Sequence, residues 1–420
     1  MTTTKNNEHK KLNVPNLRFK EFQGEWEEST IGEEFDLYSG NTPSRLNKEH
    51  FKGAINWISS GELKEHYIAD TKEKISDEAA KTLKMLPIGT FVIAIYGLEA
   101  DGVRGTCSIT KSESTISQAC MAFTSKGKIQ NEFLYSWYKK HGNVIGIRYA
   151  QGTKQQNLSY DIIEKFKIAY PTFQEQEKLY KFIALLDERI ATQNKIIEDL
   201  KKLKCAIIDE VFCSPKQREP NRRFERCTEP LSTYKMKNFC FRITDKNKEN
   251  KCSLVLTIAA QYGLVDQESF FNKSVASENL TGYYILNKGD FAYNRSYSSG
   301  YAWGAVKRLD NYSEGVLSTL YICFRADESI VNSDYLSYYF ESSKWHKEVS
   351  DISGEGARNH GLLNISVSDY FNTEHRFATM SEQKRIASML NAIVIKEQNA
   401  IELGKLYSKQ KQYLLRQMFI

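Results

Sequence analysis

The feature that most constrains the fold of this chain is an internal repeat, with matching phrases separated by roughly 200 to 207 residues. Five pairs of phrases recur in the same order: residues 15–19 match 220–224, 88–91 match 288–291, 133–138 match 335–340, 175–176 match 382–383, and 211–212 match 418–419. Chance similarity among common residues would not preserve both the order and the spacing. The sequence therefore predicts a tandem duplication within the 420 residues.

The first part of each copy mixes short strand-like and helix-like segments. Apolar runs rich in β-forming residues, such as 90–95 and 254–258, are separated by turns that contain Gly, Asn and Ser. Residues 131–140 and 333–340 have the pattern of short helices. This mixture predicts an α+β fold with two mixed α/β domains.

The second part of each copy has the heptad pattern of a long helix. In the first copy the apolar positions of the predicted seam are Leu179, Ile183, Leu186, Ile190, Ile197, Leu200, Ile207 and Val211. In the second copy they are Ile386, Leu390, Ile393, Leu414 and Met418. The middle of the second helix is less apolar, with Glu397, Ala400 and Gly404 at the corresponding positions.

Two such helices in one chain most simply pair with each other. The domain between them means that they need not form a tight hairpin, but antiparallel pairing as a coiled coil is still favoured. That arrangement places one domain at each end and relates the halves by a pseudo-two-fold axis. Gln193 and Lys204 occupy seam positions, where they either set the register or extend to solvent. The predicted boundaries are a disordered tail at 1–14, mixed domains at 15–173 and 215–378, and helices at 174–214 and 379–420.

Charge and cysteine content narrow the class of protein. The net charge is +6, with the surplus mainly in the N-terminal tail and the last helix, so a nucleic-acid surface must be assembled by folding. No apolar run reaches the roughly 18 residues of a membrane span, and the N-terminus lacks the apolar segment of a signal peptide. The eight cysteines form no CxxC pair, which fits a cytoplasmic protein with free thiols and no metal site.

Motifs for common catalytic chemistry are absent from the sequence. The chain has no phosphate-binding loop, no dinucleotide fingerprint, no adenine-methyltransferase motif and no zinc-protease motif. These absences favour a binding module over an enzyme. Two alternatives stay open: an enzyme with duplicated domains, and a structural coiled-coil tether without sequence preference.

Several phrases in this order resemble the specificity subunits of type I restriction-modification systems. Each copy opens with Pro-x-x-Arg-Phe, and residues 57–63 are similar to the family phrase W-I-x-x-G-D/E-L. Residues 152–154 with 157–159, and residues 173–178, are similar to the phrases before and at the start of the family's helix. The second copy departs from these phrases at residues 259–263 and lacks a Pro before Glu382, which suggests a different DNA half-site.

The resemblance implies a subunit without catalysis or cofactor of its own. Each mixed domain would be a target recognition domain that reads one half of a split site in double-stranded DNA. Two methyltransferase subunits, which use S-adenosylmethionine, would dock around the helices and methylate adenines. Two motor-nuclease subunits, which use ATP with Mg²⁺, would join them for restriction. No membrane is involved.

Candidate DNA-reading residues are polar or aromatic side chains in predicted loops, because base edges are read by hydrogen-bond donors and acceptors and phosphates by cations and hydroxyls. In the first copy they are Ser39, Asn41, Thr42, Ser44, Arg45, Ser59, Ser60, Tyr96, Lys154, Gln155, Gln156 and Asn157. In the second copy they are Gln261, Tyr262, Asn294, Arg295, Ser296, Tyr297, Arg358, Asn359 and His360. For each of them the alternative is a solvated turn.

Overall fold

The computed structural model describes residues 13–97, 105–149, 156–273, 279–298, 300–354 and 362–420. The chain divides into two compact units, one formed by Met1–Asn194 with Glu402–Ile420 and the other by Lys195–Ile401. Each unit holds one mixed domain and a part of both long helices. Most of the predicted tail lies outside the described residues. In the described ranges no helix combines the length and the apolar character that a membrane crossing needs.

The first unit is built from short strands with few helices. Its strands are β1 (Glu27–Thr30), β2 (Phe35–Ser39), β3 (Ile55–Ile58), β4 (Tyr67–Ile68), β5 (Lys74–Ile75), β6 (Phe91–Ala94), β7 (Tyr96–Gly97), β8 (Cys107–Thr110), β9 (Ser114–Ile116), β10 (Cys120–Ser125), β11 (Gln156–Asn157) and β12 (Lys167–Tyr170). Its helices are α1 (Ile31–Glu34), α2 (Asp77–Ala80), α3 (Asn131–Tyr149) and α4 (Tyr160–Ile163), with 3-10 turns at Lys48–Phe51 and Ser60–Glu62, and the long helix α5 (Phe173–Val211) follows.

The second unit repeats this plan. Its strands are β13 (Ser232–Lys235), β14 (Cys240–Arg242), β15 (Leu256–Ala259), β16 (Gly263–Asp266), β17 (Tyr284–Asn287), β18 (Phe291–Asn294), β19 (Ala305–Arg308), β20 (Glu314–Leu317), β21 (Ile322–Ala326) and β22 (Glu374–Phe377). Its helices are α6 (Met236–Phe239), α7 (Gln267–Phe271), α8 (Ser333–Glu341), α9 (His346–Ile352) and α10 (Val367–Asn372), and the long helix α11 (Met380–Met418) follows.

The main sheets of the two units share an arrangement of four strands, to which the first sheet adds β4. The first has the order β2-β10-β6-β8-β4, and the second has β14-β21-β18-β19. In each sheet the two central strands pair antiparallel through phenylalanines, Phe91 with Phe123 and Phe291 with Phe324. The turns before β6 and β18 need a left-handed residue, and Gly89 (φ 83°) and Gly289 (φ 94°) supply it. This requirement explains why glycine recurs in the repeated phrase.

The two long helices pair antiparallel, and the predicted fold class is confirmed. Within the first unit, Asp187 of α5 forms an ion pair with Lys411 of α11, and Arg189 lies 4.8 Å from the ring of Tyr407. Within the second unit, the end of α5 and the start of α11 share one apolar core through Ile208, Phe212, Ile386 and Leu390. The beginning of one helix therefore lies beside the end of the other in each unit.

Burial is uneven along the predicted seam. The seam residues that are buried are Leu179, Ile183, Leu186, Ile386, Leu390, Ile393 and Met418. Those that are partly exposed are Ile190, Ile197, Leu200, Ile207, Val211 and Leu414. Of the two polar seam residues, Gln193 is buried, whereas Lys204 reaches Glu341 of α8 at 3.2 Å.

The repeated phrases meet in space where each long helix begins. Arg18, from the opening phrase, binds the carboxylate of Glu175 through Nε (2.8 Å) and Nη2 (2.7 Å). Arg223 binds Glu382 in the same way, at 3.1 and 2.6 Å. Both carboxylates are buried. The Arg of one phrase and the Glu of another are thus repeated because they are partners.

The glutamine beside each buried glutamate completes the joint. The side chain of Gln176 accepts from the amide N–H of Gln130 at 2.9 Å and donates to the carbonyls of Lys128 and Pro171, each at 2.9 Å. Gln383 has three equivalent bonds, to the backbone of Asn332, Ile330 and Ala378. Because each glutamine joins its helix to the loop before α3 or α8, the joint orients each domain on its own helix.

Candidate nucleic-acid interface

The loops at one edge of the first sheet are held together by backbone hydrogen bonds. We define the first loop edge as residues 39–45, 95–97, 117–119 and 156–158. The amide of Ile95 donates to the carbonyl of Ala119 (2.9 Å), and the amide of Leu158 donates to the carbonyl of Ile95 (2.8 Å). The amide of Asn41 donates to the carbonyl of Ile116 at 3.1 Å. Four segments that are distant in sequence therefore form one continuous surface.

An open cleft of about 630 Å³ lies in this surface. Its lining residues are Thr42, Arg45, Trp57, Ser59, Ile95, Tyr96, Ser117, Gln118, Ala119 and Asn157. Five of them, Thr42, Arg45, Ser59, Tyr96 and Asn157, are candidates from the sequence. The fold thus brings together residues that the sequence scatters over more than a hundred positions. A concave, polar surface with aromatic walls can accept the edge of a base or a backbone phosphate.

Arg45 is held in a fixed position beside the cleft. Its guanidinium donates to both carboxylate oxygens of Glu73, at 2.9 and 2.8 Å. It also lies 4.6 Å from the ring centre of Phe51 and 5.5 Å from that of Trp57. The guanidinium beside it lowers the pKa of the Glu73 carboxyl below its usual value. A guanidinium with one face stacked and one edge occupied keeps its remaining edge oriented toward an incoming acceptor.

The close packing of the first loop depends on Gly40. A Cβ atom at this position would lie 2.0 Å from the carbonyl oxygen of Ile116, so a side chain cannot be accommodated without moving the backbone. The next residue, Asn41, accepts a hydrogen bond from the amide of Thr42 at 2.8 Å and so stabilises the turn. This loop therefore presents Thr42 and Arg45 from a constrained backbone.

The other candidates of the first copy have diverse surroundings. Ser39 and Ser44 are exposed, and Ser60 begins a 3-10 turn. Ser59 donates from its hydroxyl to Glu62 at 3.1 Å. The backbone of Gln156 pairs with that of Gly97. Lys154 and Gln155 lie outside the described residues, as do Arg358, Asn359 and His360 of the second copy.

The second sheet has a corresponding edge, which we define as residues 242–251, 294–298, 318–320 and 362–363. The amide of Leu363 donates to the carbonyl of Arg295 at 2.9 Å, as that of Leu158 does to Ile95 in the first unit. The guanidinium of Arg295 donates to the carbonyls of Ile365 (2.9 Å) and Leu320 (3.0 Å). Arg295 thus joins two segments of the second loop edge and binds the chain just after a third.

The neighbours of Arg295 lie on the same edge. Asn294 accepts from the amide of Ser296 at 2.9 Å, and Ser296 pairs with Leu362. The ring of Tyr297 is exposed. Gln261 and Tyr262 belong to a separate tight turn between β15 and β16, where the ring of Tyr262 is 69% exposed and lies 6.4 Å from Phe270.

The structure also identifies a loop that the sequence-based selection missed. Residues 243–251 follow β14 as the loop with Arg45 follows β2, and they include the exposed lysines Lys246, Lys248 and Lys251. The buried side chain of Asn247 braces this loop, because it donates to the carbonyl of Cys252 (2.8 Å) and accepts from its amide (3.2 Å). Applying the repeat spacing to residues 38–45 would have found the loop.

Comparisons with known proteins agree with this architecture. The family described as "Type I restriction modification DNA specificity domain" matches residues 23–202. The MjaIX type I restriction enzyme specificity subunit of Methanocaldococcus jannaschii is 25% identical over 194 residues, which are 45% of this chain and 44% of that protein. The EcoR124I/EcoR124II specificity subunit of Escherichia coli is 29% identical over 191 residues, which are 44% of this chain and 46% of that protein. The match thus spans about half the length of these curated relatives.

Two solved structures share the fold over nearly the whole chain. The crystal structure of a type I restriction-modification S subunit from M. genitalium has a TM-score of 0.54 at 13% identity and covers 97% of this chain and 99% of its own. A chain from a structure of type I R-M complex assembly and conformational transition has a TM-score of 0.56 at 14% identity. The similarity covers 93% of this chain and 96% of that chain.

Two β-rich domains with paired long helices form an architecture that the chain shares with solved type I restriction-modification S subunits. Residues 23–202 match the family's DNA specificity domain, and over about half of its length the chain is similar to the specificity subunits of type I restriction-modification systems. Members of this family are the non-catalytic specificity component of type I restriction-modification enzymes. The predicted resemblance to this family is therefore confirmed.

Proposed function

We propose that each domain of this chain reads one half of a bipartite DNA site through its loop edge. The observation that carries the proposal is that both units build this edge with the same backbone pattern, Leu158 to Ile95 in one and Leu363 to Arg295 in the other. The side chains on the two edges differ. A shared frame with different donors and acceptors is what reading two different half-sites requires.

The charges on the edges support DNA as the ligand. Arg45 in the first unit and the three lysines of residues 243–251 in the second lie where a phosphate backbone would pass if the neighbouring side chains faced a groove. Such cations provide sequence-independent affinity, whereas amides and hydroxyls discriminate bases. Because the chain carries a net charge of only +6, its partners would supply part of the phosphate contacts.

We further propose that methyltransferase subunits dock on the long helices. These helices keep large apolar side chains at the surface, including Leu185 (64% exposed) and Leu406 (59%) in the first unit and Ile395 (57%) in the second. Apolar side chains aligned on a helix are typical of a protein interface. Two methyltransferase subunits would bind S-adenosylmethionine, and two motor-nuclease subunits would bind ATP with Mg²⁺, so no cofactor is assigned to this chain.

A domain exchange tests the half-site proposal. Residues 15–173 are replaced by the first domain of another family member, and the chain is expressed with the methyltransferase subunits of its own system. Sequencing of N6-methyladenine in genomic DNA should show one half of the motif changed, with the other half and the spacer retained. Change in both halves would contradict independent reading, and the absence of any motif with the parent chain would contradict the proposed function.

A further inference from the structure

A serine-anchored turn occurs at the same place in both loop edges. In the first unit the amide of Cys120 donates to the carbonyl of Ser117 (3.0 Å), and the amide of Ala119 donates to the Ser117 hydroxyl (3.3 Å). In the second unit Tyr321 and Leu320 make the same two bonds to Ser318, at 3.2 and 3.4 Å. Both turns lead into the central strand of their sheet, β10 or β21.

In each turn the carbonyl of the third residue also accepts a hydrogen bond from a neighbouring segment. The carbonyl of Ala119 accepts from the amide of Ile95 at 2.9 Å. The carbonyl of Leu320 accepts instead from the guanidinium of Arg295 at 3.0 Å. The two domains thus use different donors to hold one backbone geometry. A turn held on both sides has little freedom to move, so its apex is preorganised for contact.

The apex residue differs between the two turns and is exposed in both. It is Gln118 in the first unit and Thr319 in the second. Within the ranges that the structure describes, neither side chain has a hydrogen-bond partner. Gln118 lines the cleft together with Tyr96, Asn157 and Arg45. Its side chain therefore lies beside the space that a ligand would occupy.

We infer that the apex of the serine-anchored turn is a specificity-determining position, and that Gln118 reads an adenine in the half-site of the first domain. A glutamine amide donates to N7 and accepts from the N6 amino group of adenine in the major groove. Thr319 presents a hydroxyl at the same position, so the second domain would select a different pattern. This inference rests on the proposed function, because it needs the loop edge to face DNA.

The test is a methylome comparison in cells that express the full chain with the methyltransferase subunits of its own system. Gln118→Ala should lower the preference for adenine at one position of one half-site by about five- to 150-fold. Gln118→Glu keeps the shape but removes the donor, so the preference should shift from adenine toward cytosine, whose amino group a carboxylate accepts. The other half-site and the spacer should not change. Thr319→Ala should alter the other half-site alone.

Matched controls separate the possible outcomes. Gln23→Ala changes another exposed glutamine of the same unit, outside the long helices, and should leave the motif intact. An unchanged motif in both Gln118 variants, or a uniform loss of methylation at all sites in a complex with the parent's melting temperature, would overturn the inference and leave the proposed function standing. If Gln118→Ala lowers the melting temperature, the motif of the isosteric variant Gln118→Glu tests the inference in its place. A parent chain that directs no bipartite motif would overturn the proposed function itself.

Discussion

Arg45 and Arg295, one on each loop edge, differ in the partners that their guanidinium groups bind. Arg45 binds Glu73 and stacks near Phe51, and its side chain stays 57% exposed. Arg295 gives two of its donors to the carbonyls of Ile365 and Leu320. Arg45 therefore remains able to contact DNA directly, whereas Arg295 positions the turn that carries Thr319. Residue type alone could not separate these roles, because both arginines follow polar turns in the sequence.

Buried His375 should make stability depend on pH. Its ring bonds to the hydroxyls of Tyr339 (3.0 Å) and Thr373 (2.8 Å), and burial lowers its pKa from 6.5 to about 3. Between these values the unfolded chain binds a proton that the folded chain does not. Stability is therefore complete above about pH 6.5 and falls as the pH drops toward 3, by about 2 kcal/mol between pH 7 and pH 5 for this one group.

Denaturant unfolding at pH 7 and pH 5 measures this effect. His375→Gln should reduce the loss of unfolding free energy on acidification relative to the parent chain. His66 and His141, whose pKa values burial also lowers to about 4, remain in both proteins and contribute equally. Identical pH dependence in the parent and the variant would show that His375 is protonated in the folded state as readily as in the unfolded state.

At the level of elements, the joint between domain and helix is the part that both copies conserve in detail. Arg18 with Glu175 and Arg223 with Glu382 connect a domain's opening phrase to the first turn of its long helix. The aromatic residue after each arginine also meets a cation of that helix, Lys178 over Phe19 at 4.6 Å and Arg385 over Phe224 at 4.4 Å. Two repeated contacts of different chemistry at one place fix the direction in which the helix leaves the domain.

Removing one partner of this joint should lower the free energy of unfolding. Arg18→Met leaves the buried carboxylate of Glu175 without its cation, and we expect a loss of about 3 kcal/mol in unfolding free energy. The double variant Arg18→Met with Glu175→Gln should recover part of that loss, because no buried charge remains. Arg223→Met should behave alike in the second unit. Urea denaturation followed by circular dichroism measures all four proteins.

The exposed ion pair between Glu21 and Lys178 gives the matched control for the joint. Glu21→Gln should change stability little, since solvent screens an exposed pair. If Arg18→Met were as harmless as Glu21→Gln, the joint would not be a determinant of stability. If the double variant were less stable than Arg18→Met, the buried charge would not be the cause of the loss.

At the scale of the whole molecule, the long helices are the expected determinant of the spacing between half-sites. Each has 39 residues, or about 58 Å at about 1.5 Å per residue. One heptad inserted after Ile190 and another before Tyr407 would lengthen the pair by about 10 Å, close to three base pairs. Three base pairs rotate a half-site by roughly 100°, whereas a heptad rotates the helices by about 20°, so activity should fall.

Methylome sequencing of cells that express the lengthened chain checks this expectation. Residual methylation should occur at sites with a longer spacer and unchanged half-site bases. An insertion of seven residues in the loop at 216–219, outside the helices, serves as the control and should leave the spacer unchanged. Full activity at the original spacing after the helix insertions would show that the helices do not set it.

The duplicated plan, the α+β class and the two paired helices could be predicted from the sequence. A period near 200 residues and a heptad pattern are properties of the residue order itself. Two helices that must each bury an apolar stripe can pack in only a few ways. Five residues of the first cleft were also predicted, because turn-forming residues such as Gly40 and Asn41 mark loops locally. Gln118 was not, because a lone glutamine between two short strands carries no local signal.

What only the tertiary structure decided is which polar side chains share a surface. Ile95, Ala119 and Leu158 are brought together by hydrogen bonds between segments that are far apart in the sequence. Those bonds depend on how strands pair across a sheet, and strand pairing is set by contacts that no local pattern encodes. The same reason applies to Arg295, whose partners Leu320 and Ile365 are determined by the folded arrangement and not by its neighbours in the chain.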